Sequence, residues 1–409
     1  MSMPESINET PHRNERPSVE ELVARARSLQ PVLRQHARET EMNRRVSAQT
    51  TALLAGADLF KLIKPKRFGG FEYGPSTLLR VGFELGQACG STAWCAMLGN
   101  VNSWFASYWP LQAQTDIWGE RPGNLVAGTL APTGQSERVA DGYLIKGRWP
   151  WASNCENSNW LFVAVLLPPV EGASPGPGWF LTPRESLSVD QGSWHVSGMQ
   201  GTGSKVIFCE QPVFVPEHRV IRFSDVLAGT TPGRSIPGNL PAAFPFGTFG
   251  AVSLVAPLLG MAQGALDWFA QAMRTKVRVT GRPGGPVFSA DSPFTQERAG
   301  RASAAIDAAM ALLLADLPRL EAKIQAGESI DVAERIRIRR DCGFAARQAV
   351  DAVNAVFEGA GASAVDLDLP IQRFWRDINA GARHVSLDVQ AINSLMGQQL
   401  FGLPPTGMF

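Results

Sequence analysis

The sequence predicts an α+β fold: a helical first part, a β-rich middle and a helical last part. Three observations carry this. Apolar residues recur at three- and four-residue spacing through the first 120 positions, short β-rich runs broken by Gly, Pro, Asn and Asp follow from Asn124, and helical periodicity returns from about Pro241. At 409 residues the chain is long enough to bury a large core. It divides into a polar lead-in over 1–17, an N-terminal α-helical domain over 18–123, a middle β domain over 124–230 and a C-terminal helical domain over 231–409.

The elements follow in order. Ser18-Val19-Glu20-Glu21 is a capping-box pattern, and Val19, Leu22, Val23, Ala26, Leu29, Val32 and Leu33 continue it as an amphipathic helix. A second helix is expected over about Asn43 to Ala55. Pro65, Gly69, Gly70, Gly74 and Pro75 break the pattern, after which Thr77 to Cys89 and Ser91 to Tyr108 read as two apolar helices, the second capped by Ser91. NLVAGTLAP, DGYLIKGRWPWAS, NWLFVAVLLP, GWFLTP and KVIFCEQPVFVP are the expected strands, and their near-regular spacing suggests a compact barrel or sandwich. Three long helices close the chain, from about Pro241 to Met273, Pro293 to Gln325 and Val332 to Gly359.

Composition excludes several function classes. Lys and Arg total 38 against 37 Asp and Glu, a net charge of +1, so the basic excess of a nucleic-acid binder is missing. The pairs Arg44-Arg45 and Arg339-Arg340 read as solvated helix faces. Only 18% of residues are charged while 44% are hydrophobic, and Trp outnumbers Tyr 11 to 3, a balance that suggests burial shared between subunits and hence an oligomer. Cys89, Cys95, Cys155, Cys209 and Cys342 are scattered and odd in number, which fits buried free thiols better than a disulfide framework or zinc site. The five histidines show no ligand spacing, so no metal is expected. Phe244 to Met273 is long and apolar enough for a membrane span, but Pro257, Gln263, Asp267 and Gln271 within it favour a helix buried in a bundle. The polar opening stretch has no apolar signal region, so a cytoplasmic protein is expected.

Three Gly-rich segments, RFGGFEYG, GMQGTGS and FEGAGAS, match neither the P-loop nor a strand-led dinucleotide fingerprint and read as tight turns. A nicotinamide site on this chain is therefore not expected.

The helical–β–helical order, together with RFGGFEYGP, DGYLIKGRWPWASN, GMQGTGSKVIFCEQPVFVPEHRV and PIQRFWRDINAGARH, resembles the acyl-CoA dehydrogenase fold over roughly residues 20 to 400. That likeness implies a middle β-barrel domain and a C-terminal four-helix-bundle domain. Within that fold, CGSTAW (89–94), GRWPWASN (147–154) and RFWRDINAGARH (373–384) are similar to two-component flavin-dependent monooxygenases, typified by the oxygenase component of 4-hydroxyphenylacetate hydroxylase and its indole- and steroid-phenol-hydroxylating relatives. The resemblance implies reduced FAD or FMN supplied by a separate NAD(P)H flavin reductase, O2 as co-substrate, a flavin C4a-hydroperoxide, hydroxylation of a small aromatic such as an indole or a phenol, and a homotetramer.

The resemblance also assigns residues. Dehydrogenases of this fold often carry a glutamate after the Arg-Asp pair, whereas this chain has none in INAGARHVSLD and presents His384, a group suited to proton traffic near neutral pH. Ser153 takes the place of a serine beside flavin N5, with Trp151 and Trp149 as candidates for packing on the ring. Thr129 falls where the pyrimidine edge is met, and Arg274 with the Gly359-Ala360-Gly361 turn where a phosphate is held, across a subunit boundary. Phenol hydroxylases often have a histidine in the helix after the CGST segment, where this chain has Asn100 and Asn102, which disfavours phenols; Asn102, Trp104, Phe105, Trp109, Phe246 and Phe249 are candidates to line an apolar substrate pocket. Two other readings stay open: an acyl-CoA dehydrogenase with tightly bound FAD, and a non-catalytic ligand-binding or structural helical oligomer.

Overall fold

The computed structural model describes residues 16–168, 176–278 and 287–407. Most of the expected lead-in, up to residue 15, lies outside them.

Five helices come first: α1 (Val19–Met42), α2 (Ala48–Gly56), α3 (Pro75–Gly86), α4 (Gly90–Ala106) and α5 (Leu111–Trp118). The capping box forms at Ser18, whose hydroxyl accepts from the Glu21 backbone. Three starts differ from expectation. The third helix begins two residues earlier, with Pro75 in its first turn. The second helix begins later, capped by Ser47, because its side chain meets the Thr50 N–H. The fourth begins at Gly90, with Cys89 at the cap, so Ser91 is inside the helix and not its cap.

Eight strands form one mixed sheet: β1 (Val126–Gly128), β2 (Gly134–Val139), β3 (Gly142–Ala152), β4 (Trp160–Leu167), β5 (Gly176–Pro183), β6 (Ser188–Asp190), β7 (Lys205–Pro216) and β8 (Val220–Arg222). Their order is β6-β7-β3-β2-β4-β5-β8, with β1 parallel to β4 beside β2. The expectation of a barrel is corrected here: the sheet is not closed. Its edge strands β6 and β8 are three residues long and each pairs with one neighbour, too little ladder to join the two ends. One face of the curled sheet buries Tyr143, Ile145, Trp149, Leu161, Val163, Phe180 and Ile207 in a core of its own. The other face turns Trp160, Phe162, Ala164, Trp179 and Leu181 onto the helices.

After the sheet come α6 (Phe223–Ala228), α7 (Phe246–Phe249), α8 (Val252–Thr275), the strands β9 (Val277–Arg278) and β10 (Val287–Phe288), α9 (Pro293–Gln325), α10 (Val332–Ala360), α11 (Pro370–Gly381) and α12 (Val389–Leu400). The apolar segment weighed as a membrane span is α7–α8, and it is packed inside the protein. It sits against α3 as closely as against α10, so helices before and after the sheet share one core. Gly86 and Gly260 make that crossing possible. A Cβ on Gly260 would lie 2.3 Å from the Phe83 carbonyl, and one on Gly86 2.6 Å from that of Pro257. All five cysteines are buried and free.

Candidate active site

The sheet, α4 and α11 meet at the loop between β6 and β7, residues 198–204. Met199 and Gly203 take left-handed conformations, φ 56° and 53°, which fold the loop tightly enough to reach three elements. Its Met199 N–H donates to Asp377 Oδ1 of α11 at 2.5 Å. Thr202 O accepts from Cys95 Sγ of α4 and from the Asn154 N–H beyond β3.

The end of β3 is shaped by a register shift against β7, three residues on β3 spanning two on its partner. Such a bulge re-aims side chains. Trp149 stays fully buried with its Nε1 on Ala164 O, whereas Trp151, at φ 69°, is held outward with 64% of its surface exposed and its ring edge-on to Trp194. Of the two tryptophans considered for ring packing, only Trp151 faces out of the sheet. Two residues on, Ser153 is buried and its Oγ lies 2.6 Å from Ser204 Oγ, which lies 2.7 Å from Thr202 Oγ1, which donates to Met199 O. Three hydroxyls thus form a relay ending at Ser153. Thr129, just past β1, is also buried, and its hydroxyl has no partner among the described residues. A buried unsatisfied hydroxyl is costly and points to an acceptor or donor supplied by a ligand.

His384 caps the single turn 385–387 on the far side of α11 and stands edge-on to Trp94 of α4, centroids 6.0 Å apart. Its Nδ1 accepts the Ser386 backbone N–H at 3.1 Å. The neutral ring therefore carries its proton on Nε2 and is a donor there. Burial, with the Arg339 charge adding to it, pulls the imidazole down to about 4, so the ring is neutral near pH 7. Gly381, one turn earlier, lies against Met199, which ties the His384 turn to the hydroxyl-bearing loop. Burial pushes Asp377 the other way, up to about 6, against the Met199 N–H that favours its ionised form.

An aromatic cavity of about 220 Å³ opens between β5, α6 and α7, lined by Leu130, Trp179, Phe223, Val226, Phe246 and Arg335. Phe105 packs at a tilt behind Phe246, centroids 4.6 Å apart, and Trp104 flanks Phe246 at 5.5 Å with its Nε1 on Pro241 O. Trp109 packs on Phe105 from the far side, and Phe249 turns into the core against Phe244, so neither lines this cavity. Asn102 is buried on the α4 face that also carries Trp94 and Leu98. Asn100 is occupied by the backbone, donating to Leu59 O and Ala96 O and accepting from Leu62 N.

The phosphate candidates gather elsewhere. Arg274 is exposed in the last turn of α8, Gly359 and Gly361 end α10, and Lys276 joins the two by donating to Ala360 O and Ser363 Oγ. Within one chain no contact joins this corner to Ser153 or Thr129 among the described residues.

Sequence reasoning passed over Trp94, Trp179, Phe223, Ser204, Thr202, Arg335 and Arg339. Ser204 and Thr202 stood in a segment read only as a turn, and an arginine within a helix gives no periodic signal of burial. The Arg339-Arg340 pair is not a solvated face: Arg339 is 6% exposed with Nη1 on Gly247 O, and Arg340 pairs with buried Asp341.

Comparison with known proteins decides the family. The profile of the acyl-CoA dehydrogenase C-terminal domain matches residues 252–389. Over 397 residues the chain is 35% identical to the FADH2-dependent resorcinol hydroxylase oxygenase component of Rhizobium sp. (strain MTP-10005), covering 95% of this chain and 96% of that protein. It is 34% identical to the flavin-dependent monooxygenase oxygenase subunit HsaA of Rhodococcus jostii (strain RHA1), covering 93% and 98%. The chain belongs to the flavin-dependent monooxygenase oxygenase components. Among solved structures, the 3-HSA hydroxylase from Rhodococcus sp. RHA1 superposes with a TM-score of 0.87 at 33% identity, over 97% of this chain and 99% of that one. XiaF from Streptomyces sp., solved with FADH2 and glycerol, gives 0.86 at 28% identity over 96% and 98%.

The residues of this oxygenase component fit a reduced flavin. An outward indole at Trp151 offers a flat apolar surface to a planar ring, the Thr129 hydroxyl offers a hydrogen bond to a heteroatom edge, and Ser153 offers a hydroxyl oxygen that can accept one. The acyl-CoA dehydrogenase activity kept open by the sequence is set aside by this family, as is a non-catalytic role.

Proposed function

We propose that this chain is the oxygenase component of a two-component system that takes reduced flavin, FAD by the names of its relatives, from a separate NAD(P)H flavin reductase and hydroxylates a small aromatic compound. One oxygen atom of O2 enters the ring, the other leaves as water, and the flavin ends oxidised. The observation that carries the reading is the end of β3, where Trp151 is turned outward beside a buried Ser153 hydroxyl at the head of a relay.

When bound, the flavin supplies the two electrons that activate O2. The chain supplies the rest. Because Thr202 donates to Met199 O, Ser204 donates to Thr202 and Ser153 donates to Ser204, so the Ser153 oxygen is left to accept a hydrogen bond from an N–H at the ring edge. His384, neutral and protonated on Nε2, donates a hydrogen bond to an oxygen that develops negative charge. Phe246, backed by Phe105 and Trp104, seats the aromatic substrate with Phe223 and Trp179 and excludes water from the reacting atoms. Asn102, which cannot take a phenolic proton, can still hydrogen-bond a ring substituent. Resorcinol and indole-3-acetate both occur in the names of relatives, which supports a site that accepts aromatics of either kind.

The test is reconstitution. The purified chain with an added flavin reductase, FAD, NADH, O2 and an aromatic substrate should form hydroxylated product, while NADH without the reductase should give none. NADH oxidation by this chain alone would overturn the two-component reading.

A further inference from the structure

The cavity between β5, α6 and α7 has an unusual polar inventory. Its walls are Leu130, Phe223, Val226 and Phe246, and the two polar side chains among its linings are Trp179 and Arg335. Both are donors with no acceptor capacity. Trp179 is 4% exposed, and its indole N–H has no partner among the described residues. A buried donor left unmatched is unfavourable, so its place on a cavity wall points to an acceptor arriving with a ligand. Arg335 is the one charged lining residue. Its Nε donates to Thr248 Oγ1 at 3.2 Å, and the fork geometry of a guanidinium lets it serve several acceptors at once. Glu328 lines a second cavity of about 250 Å³ together with Arg335 and Arg234, and is not among the residues lining this one.

We propose that this cavity selects an aromatic acid, its ring held among Phe246, Phe223 and Trp179 and its carboxylate received by Arg335 and the Trp179 indole N–H. The inference rests on the oxygenase reading and narrows its substrate class. Three features agree. Apolar aromatic walls suit a ring, a donor-only pair suits an anionic acceptor, and about 220 Å³ is below the roughly 300 Å³ at which drug-sized pockets begin, so the ligand is small. A carboxylate accepts from both donors together, whereas a neutral ring offers them weaker acceptors.

The test compares 4-hydroxyphenylacetate with 4-hydroxyphenylacetamide, which share a ring and differ in charge. Binding is measured by calorimetry on the full chain, anaerobically, with and without reduced FAD, and product is then measured after O2 is admitted. The acid should bind at least tenfold tighter than the amide, and in Arg335→Met the two should agree within threefold. If Arg335→Met does not fold by circular dichroism, Trp179→Phe decides, with the acid preference expected to fall at least threefold. Equal affinities in the parent, or an unchanged preference in a folded variant, would overturn the proposal. The two readings fail differently: product from neutral aromatics without any acid preference sinks the cavity assignment alone, and Arg335-dependent acid binding without product sinks the oxygenase reading alone.

Discussion

Three side chains carry predictions that separate ligand binding from folding. The Thr129 hydroxyl is buried with no partner among the described residues, a situation that costs on the order of 1–3 kcal/mol. Thr129→Val keeps the shape and removes the orphan, so the ligand-free protein should melt at the same or a higher temperature while reduced-flavin affinity falls several-fold. A variant that binds flavin as the parent does would place Thr129 outside the site. Ser153 is different, since its hydroxyl is matched by Ser204. Ser153→Ala should cost about 1 kcal/mol of stability and shift O2 consumption several-fold toward hydrogen peroxide, read as the ratio of product to NADH consumed. His384 gives a pH signature. Its folded-state value, about 4, lies below the ordinary 6.5, so as pH falls through 6.5 the unfolded chain takes up a proton that the folded one refuses. Stability is lost from about pH 6.5 down to about pH 4, by at most about 3 kcal/mol. Asp377, raised to about 6, opposes this, because its unfavourable ionised form is relieved as pH falls below 6. His384→Asn should therefore match the parent in urea at pH 7.5, exceed it at pH 4.5, and lose at least tenfold in product formation.

The loop at 198–204 depends on close approach at the element scale. A Cβ on Gly198 would lie 2.1 Å from the Arg376 carbonyl, backbone against backbone, with no flexible atom to yield. Gly198→Ala should push the loop off α11, break the Met199 to Asp377 hydrogen bond and lower the denaturation midpoint, with loss of coupling like that of Ser153→Ala. An unaffected midpoint would show that the loop tolerates displacement. Elements were the most legible scale in the sequence. Helical periodicity located α9 with its expected ends and α10 within a residue of them, and the Ser18 capping box was visible directly, because these signals are local. Sheet closure was not legible, since strand count and spacing say nothing of how short β6 and β8 are or which neighbours they find. The relay behind Ser153 was equally hidden: Ser204 meets it across 51 positions of sequence, through a loop whose glycines looked like an ordinary turn.

For the whole molecule, family and cofactor class were readable from short motifs, but Arg335 and Arg339 were not, because a cation inside a helix looks the same in sequence whether it faces water or a cavity. Assembly is the remaining property that sequence and structure address together. A net charge of +1 gives copies little reason to repel, and α12 ends with Leu400, Phe401 and Leu403 exposed at 73%, 82% and 55%. Large apolar side chains clustered in water suit a surface that another chain covers. Among the described residues the phosphate candidates at the ends of α8 and α10, Arg274, Gly359 and Gly361, make no contact with Ser153 or Thr129, which supports a site completed by a neighbouring copy. We propose a dihedral homotetramer, whose closed symmetry would bury the same patch on every subunit. Light scattering should accordingly give the mass of four chains at micromolar concentration. Phe401→Asp should lower that mass and, in the same samples, weaken reduced-flavin binding, whereas Arg274→Gln should weaken flavin binding and leave the mass unchanged. A single-chain mass for the parent would end the tetramer reading, and full flavin affinity in dissociated Phe401→Asp would show that each chain holds the flavin alone.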